Sequence, residues 1–510
     1  MTDAPWDDGA AAKQLFVLVT GANSGIGLGI GQRLISEFAT SHPLSSDHIT
    51  VIVTTRSATK SRQTIEELRQ YLRKEEARAA AAKSSLHPDR IHLASVELDL
   101  CNLPSVHAAA ERLRSSPLSI YTGTSKDVSS PHTIPRLDSV IFNAGIGGWT
   151  GIDWLNLVTN VLFDGILQAM TFPRCKASPS GLLVDPMTGK EVTGAGAEKT
   201  DGVLGQIFCA NVFGHYVFAH ALMPLLRGTS ETSSSRKALG RSALGPGPAR
   251  IIWESSIEAS VWEFLSLDDF QAIHTKAAYE SSKRLTDVLA LTASLDSVAP
   301  VAAPFLRADE NTDDDDDDDK ASKPIIYVTH PGIVCSTIFP LNWFLFTLYE
   351  IAMYLARWLG SPWHPITAFK GATAPVWAAL QPQSALDALD ARRVKWGSGC
   401  TRGGTTFVKR SEVEGWGFRG LVGEELQATA ALDSLTGKEW SDGKGDPLAA
   451  LFPHPAYLVN GRGRKKGAAT LTAERRQEFE ALGRDCWQEM ERLRTEWDGR
   501  VRKAQAEREA

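Results

Sequence analysis

The sequence predicts an α/β fold built on a doubly wound parallel sheet, with a hydrophobic and helical extension toward the C-terminus. Three observations carry this expectation. Short β-branched runs alternate with helix-length patterns through the first half of the chain. The first run passes directly into a glycine-rich turn. The later part changes character, with an apolar stretch at 338–360 and a charged, helix-forming segment from 468 onward. The alternation implies βαβ units, whose crossover helices cover both faces of a parallel sheet.

Six strands are expected in order, at residues 15–20 (LFVLVT), 49–55 (ITVIVTT), 91–100, 137–142 (LDSVIF), 250–254 (RIIWE) and 325–329 (IIYVT). Helices are expected at 24–38 and 59–81. This divides the chain into a flexible N-terminus (1–13), a nucleotide-binding catalytic domain (14–337), a substrate-pocket or membrane-associated extension (338–467) and a charged helix (468–510). Two insertions should be disordered. Residues 228–249 are rich in Ser, Gly and Pro, and 308–322 hold the run of seven aspartates from 313 to 319 with nothing to bury. No internal repeat is evident.

The 510 residues are 43% hydrophobic and 22% charged, a globular balance. The formal charge is −6, but nine acids lie between 309 and 319, so the remainder carries −6 plus nine, or +3. A strongly basic nucleic-acid binder is disfavoured. The six cysteines form no CxxC pair, which excludes a zinc knuckle and a dithiol redox motif. The first twelve residues carry three aspartates and no apolar core, unlike a signal peptide. The active site is therefore expected to face a reducing compartment, which leaves attachment to a membrane from the cytosolic side open.

The strongest local signal is Thr20-Gly21-Ala22-Asn23-Ser24-Gly25-Ile26-Gly27, after a strand and at the start of a helix. Its glycines allow a tight turn and close approach of backbone to a pyrophosphate, which sits at a helix N-terminus. The spacing, Gly-x3-Gly-x-Gly, differs from the general Gly-x-Gly-x2-Gly fingerprint of Rossmann-type folds. Strand two ends Thr54-Thr55-Arg56-Ser57, with Lys60 and Arg62 behind it and no acid for a free ribose 2′-OH. A guanidinium here suits a 2′-phosphate, hence NADPH over NADH; a solvated basic helix start would leave the same residues. Asp99 at the end of strand three could accept from an adenine amino group, and Asn143-Ala144-Gly145 after strand four lets backbone contact a ribose.

Tyr279 and Lys283 are spaced i, i+4 and share one helical face. A free phenol titrates near pH 10, and an adjacent ammonium would favour its phenolate. Strand five ends Trp253-Glu254-Ser255-Ser256, which can present a hydroxyl to a carbonyl oxygen; Ser256 is preferred, with Ser255 the alternative.

These residues, with Asn211, resemble the short-chain dehydrogenase/reductase superfamily. The resemblance implies a Rossmann-type fold, a Ser256–Tyr279–Lys283 catalytic set, an Asn211 that orders a water linking the lysine to solvent, and a Pro331-Gly332-Ile333 loop, with Ser336, beside the nicotinamide. The gap between Ser256 and Tyr279 is longer than most members have. Residues 151–154 (GIDW), 210–216 (ANVFGHY), 255–257 (SSI), 278–285 (AYESSKRL), 357–364 (RWLGSPWH) and 496–498 (EWD) resemble more narrowly the fungal 3-keto-steroid reductase family, related to the type 7 17β-hydroxysteroid dehydrogenases. That implies NADPH-dependent reduction of a 4-methylsterol-3-one to the 3β-alcohol in C-4 demethylation. It also implies the endoplasmic reticulum membrane, lipid droplets and a complex with the other C-4 demethylation enzymes. Another hydrophobic ketone (a 17-keto steroid or retinoid), or a scaffold docking sterol enzymes, stays open as an alternative.

The apolar stretch reads as a helix over 341–359, about 28 Å long and close to bilayer thickness. Glu350 near its middle would cost about 2.5–3.5 kcal/mol in a span. Glu350 and Arg357 share a face and leave the rest apolar, so an in-plane interfacial helix fits better than a span, with a buried pocket helix as the third reading. Trp149 and Trp154 are candidates to touch a flat apolar substrate, although core packing is the commoner fate of tryptophan.

Overall fold

The computed structural model describes residues 13–41, 47–83, 86–124, 128–193, 202–228, 242, 244, 247–259, 261–307, 323–336, 341–423 and 463–509. The N-terminus up to residue 12, the acidic insertion and most of the Ser/Gly/Pro insertion lie outside these.

One ten-stranded sheet organises the chain. Its strands are β1 (Lys13–Val19), β2 (Asp47–Thr55), β3 (Ile91–Glu97), β4 (Leu118–Thr122), β5 (Val128–His132), β6 (Ser139–Phe142), β7 (Arg250–Glu254), β8 (Ile325–His330), β9 (Lys395–Cys400) and β10 (Thr406–Ser411). They lie in the order β10-β9-β8-β7-β6-β1-β2-β3-β4-β5. From β3 to β9 all pairs are parallel. The edges are not: β4 and β5 at one side and β10 at the other pair antiparallel. The expected parallel sheet is thus its seven-stranded centre. The extension beyond 338 is continuous with that sheet, since it supplies β9 and β10.

Side chains alternate across β1: Phe16 and Leu18 join one core, and Leu15, Val17 and Val19 join the other. Helices α1 (Gly25–Ser41) and α2 (Ala58–Ala81) cover the second face. On the first face lie α3 (Leu103–Ser115), α6 (Gly214–Ala221) and α7 (Ala278–Thr292), while α4 (Trp154–Asp164) and α5 (Ile166–Thr171) pack on each other outside that core. The extension adds α8 (Trp343–Trp358), α9 (Thr373–Leu380), which packs with α1 on the second face, and the long α10 (Ala473–Glu509). Phe479, Trp487, Met490, Leu493, Trp497 and Val501 of α10 recur at helical spacing and are buried against the first core, with Trp487 Nε1 donating to Leu289 O at 3.1 Å. The C-terminal charged helix is therefore structural on one face.

β3 ends at Glu97, earlier than expected, so Asp99 stands in the following turn with its Oδ1 accepting from Cys101 N–H at 3.0 Å. The long stretch between Ser256 and Tyr279 is folded: Asp269 accepts from the backbone N–H groups of Ile273, His274 and Thr275, and Gln271 Oε1 accepts from Gly205 N–H. That closed loop returns the chain to α7, so the insertion does not separate the two residues.

Candidate active site

The sheet order reverses between β1 and β6, and a crevice forms beyond the carboxyl ends of strands at such a point. A cleft of about 730 Å³ lies there, lined by Gly21, Asn23, Ser24, Gly25, Ile26, Gly27, Thr55, Arg56, Asp99, Asn143, Ala144, Gly145 and Ser336 among others. Gly27 allows close backbone packing, because a Cβ there would meet Gly21 O at 2.3 Å. Gly25 has a φ of +53° and open space where its Cβ would point, at the N-terminus of α1. Thr20 stitches the floor: its Oγ1 accepts from the N–H groups of Asn143 and Ala144 at 3.0 and 3.1 Å and bonds His215 Nε2 at 2.9 Å. His215 is pushed down to about 3 by burial, so it is neutral and its Nδ1–H faces Asn211 O at 3.2 Å. An anion cradle at a helix N-terminus beside an exposed guanidinium fits a nicotinamide dinucleotide. Lys60 and Arg62 are outside the cleft lining; the Arg62 guanidinium donates to Thr59 Oγ1 at 3.3 Å on the exposed side of α2.

Beside this cleft, sharing Ile26, Trp149 and Ser336 with it, is a pocket of about 310 Å³. Tyr279 and Ser256 both line it, and the serine hydroxyl acts to lower the phenol's pKa. Ser256 Oγ accepts from Glu258 N–H at 3.2 Å. Ser255 points away, donating to Lys283 O at 3.2 Å within the core. Lys283 Nζ is 5.8 Å from the Tyr279 ring centroid and donates to Glu254 O at 2.8 Å. Burial pushes Lys283 down to about 8. The phenol behaves opposite to the expectation from its ammonium neighbour. Burial, followed by the charge of Glu258, raises its pKa, outweighing the lowering effect of the Ser256 hydroxyl.

Asn211 sits in a π-helical turn (Cys209–Phe213) that runs into α6, a distortion common at functional sites. Its Oδ1 accepts from Ile146 N–H at 2.8 Å, and its Nδ2 donates to Ile146 O and Ser282 Oγ, both at 3.0 Å. Asn211 Oδ1 and Lys283 Nζ both flank Gly145, 2.8 and 4.0 Å from where its Cβ would stand.

The pocket walls are mainly apolar. Pro331, Gly332 and Ile333 line it rather than the dinucleotide cleft, as do Leu341 just before α8 and Leu345, Leu348, Tyr349, Ala352 and Met353 along that helix. Trp149 is buried and meets Tyr279 edge-on at 4.6 Å, whereas Trp154 lines the pocket while 55% exposed. The α8 helix is 16 residues, about 24 Å, and no helix among the described residues is long and apolar enough to cross a membrane. Arg357 is buried and Glu350 partly so, and the outward face carries Trp343, Phe344, Leu348, Ile351, Leu355 and Trp358. Sequence reasoning missed Lys176, Glu258 and Cys175 in this pocket, and nothing local marked them: the fold alone brings them to Tyr279.

A glycine turn at the switch point, with serine, tyrosine and lysine converging beside it, defines a short-chain dehydrogenase/reductase. No family model matches the chain. It is 42% identical over 504 residues to the 3-keto-steroid reductase of Gibberella zeae, covering 97% of this chain and 96% of that one. The Aspergillus fumigatus 3-keto-steroid reductase is 40% identical over 517 residues, with 99% of each covered. That of Saccharomyces cerevisiae is 29% identical over 403 residues, covering 79% and 90%. The chain belongs to the fungal 3-keto-steroid reductase family. A 3-oxoacyl-[acyl-carrier protein] reductase from Brucella melitensis aligns with 72% of this chain and 91% of its own at 14% identity and a TM-score of 0.37, a likeness too low to carry argument.

Proposed function

We propose that this oxidoreductase uses NADPH to reduce the C3 ketone of 4-methylsterol intermediates to the 3β-hydroxyl during C-4 demethylation in ergosterol-type sterol biosynthesis. The observation that carries the reading is a phenol and a serine hydroxyl lining an apolar pocket that adjoins the cleft of the glycine turn. When bound, NADPH supplies the hydride to C3. Tyr279 gives its proton to the carbonyl oxygen, and Ser256 hydrogen-bonds that oxygen. The Lys283 ammonium, with one donor committed to Glu254 O, keeps others for the ribose and for stabilising the phenolate left behind. Asn211 holds the Ile146 backbone and Ser282 around the lysine, where a water can return the proton.

NADPH preference rests on Arg56, exposed on the cleft with no acid at the end of β2. The wild-type protein is expected to oxidise NADPH with a 4-methyl-3-ketosterol, with NADH much the poorer donor. Arg56→Ala should weaken NADPH binding about tenfold or more, the worth of a charged hydrogen bond, and leave NADH unchanged. Equal loss for both cofactors would contradict this role. Turnover of a 17-keto steroid or retinoid in place of the sterol would reassign the substrate.

The proposal includes attachment to the cytosolic face of the endoplasmic reticulum membrane and to lipid droplets, among the other C-4 demethylation enzymes. Its support is the surface at the pocket mouth. On α4, Leu155, Leu162 and Phe163 are 73–76% exposed, and Trp343 on α8 is 81% exposed. Both helices also line the pocket, so a sterol can pass from lipid into the site. Phe344→Glu combined with Ile351→Glu should cut cosedimentation with phospholipid vesicles by about tenfold or more, with turnover in detergent retained. Undiminished vesicle binding would remove this part of the proposal.

A further inference from the structure

Lys176 and Glu258 are the only charged residues lining the pocket among those described. Neither has a place in the proton transfer described above. Lys176 lies on a two-residue strand (Lys176–Ala177) paired antiparallel with Gly151–Ile152, the hairpin that carries α4 and α5. Its ammonium stands 3.7 Å over the Trp149 ring centroid and 5.6 Å from that of Tyr279, and is ion-paired to Glu258. The two side chains are 15% and 11% exposed. Glu258 is also tied to the site through its backbone, which donates to Ser256 Oγ.

We propose that this ion pair sets the pH range of the reaction: Glu258 holds the Tyr279 phenol in its proton-donating form, and Lys176 limits how strongly it does so. Glu258 acts through Tyr279 and is a positioning residue. The inference rests on the ketoreductase reading and names what fixes the pH range over which that site reduces its ketone.

The charges around the phenol come from four elements. Lys283 and Glu280 are on its own helix α7, Glu254 ends β7, Glu258 follows in the next loop, and Lys176 comes from the short strand. The two cations favour phenolate and the three carboxylates oppose it. Among the charges, that of Glu258 is the foremost in raising the phenol, ahead of Glu280 and Glu254. Those two are each pushed up to about 7, primarily by burial, which weakens their ionised form near neutrality.

Reduction needs a protonated phenol, so its rate falls as pH rises through the apparent pKa of Tyr279 in the working complex. Glu258→Gln leaves two cations facing the ring and moves this fall to lower pH. Lys176→Met keeps an apolar stem over Trp149, leaves Glu258 unopposed and moves the fall to higher pH. Charges about 4–6 Å away move the midpoint of such a group by roughly one pH unit or more. Oxidation of the 3β-alcohol needs the phenolate, whose population rises about tenfold for each pH unit by which the midpoint falls. In Glu258→Gln the rise of the reverse reaction with pH should therefore move down by the same amount as the fall of the forward one.

The test is kcat/KM against pH for NADPH-dependent reduction of a 4-methyl-3-ketosterol by the full chain in detergent, for wild type, each single variant and the double variant. Opposite displacements in the singles, with a near wild-type profile in the double, are the expected result. An unmoved profile, or displacement in one direction by both singles, would overturn the inference. If both singles lose turnover at every pH, the double variant decides: recovery with a wild-type profile supports the charge pairing, and no recovery makes the pair structural and overturns it. A wild-type enzyme inactive on the sterol would sink the substrate reading instead; the same profiles are then taken with a 17-keto steroid.

Discussion

Tyr279→Phe is expected to lower kcat for ketone reduction by about 10²–10⁴-fold, the contribution of a positioned acid. Phenylalanine keeps the ring and its edge contact with Trp149, so the pocket wall stays in place. What disappears is the Oη proton that the carbonyl oxygen would receive. NADPH binding, read by quenching of protein fluorescence, should change little, because the glycine turn, Arg56 and the Asn143–Gly145 backbone are untouched. A Tyr279→Phe protein with near-normal turnover would remove the phenol from the chemistry. Binding lost together with activity would show a collapsed site rather than a missing acid.

The largest expected effect on stability lies behind the catalytic serine. Lys395 on β9 and Asp287 on α7 form an ion pair at 2.6 Å with side chains 2% and 0% exposed, and Lys395 Nζ also donates to Ser256 O at 2.7 Å. Burial works against both charges, raising the Asp287 pKa and lowering that of Lys395, so each ion depends on the other. Lys395→Met strands a buried carboxylate and should cost about 3–5 kcal/mol, seen as a lower midpoint in urea. Lys395→Met with Asp287→Leu should recover much of that stability, since a buried pair can be replaced by apolar side chains at little cost. Its kcat should stay depressed, because Ser256 O has lost its donor. Equal destabilisation by the single and double variants would contradict this account.

The parts of the fold legible in the sequence are those whose signal is local. The β1–turn–α1 unit declares itself through LFVLVT and the glycines after it, and β2, β6, β7 and β8 each hold at least two adjacent β-branched residues in a short run. Tyr279 and Lys283 can be placed together because one helical turn joins them. Elements stabilised by distant partners are not legible. In β9 (KWGSGC) glycines at 397 and 399 interrupt the strand pattern, yet they admit His330, Trp363 and Phe407 against the sheet. The edge strand β5 pairs only with β4, which pairs only briefly with β3.

Within the site, the resemblance names Ser256 but not how it reaches Tyr279, which depends on the Asp269 loop folding the long insertion. Lys176 is invisible in the sequence because its short strand takes its position from pairing with Gly151–Ile152. The direction in which the phenol's pKa moves depends on burial and on Glu258, neither of which the Tyr-x3-Lys spacing encodes. The charges on α8 do share one face, as their spacing predicts, but that face turns inward, with Arg357 buried.

The most direct test of the central claim is to follow the transferred hydrogen. The purified full chain would be given NADPH deuterated at the nicotinamide C4 and a 4-methyl-3-ketosterol in detergent, with the product analysed by mass spectrometry and NMR. The account predicts a 3β-alcohol with a single deuterium at C3 from wild type, and almost none from Tyr279→Phe under the same conditions. Deuterium at another carbon, a 3α product, or no transfer by a protein that binds NADPH would contradict it.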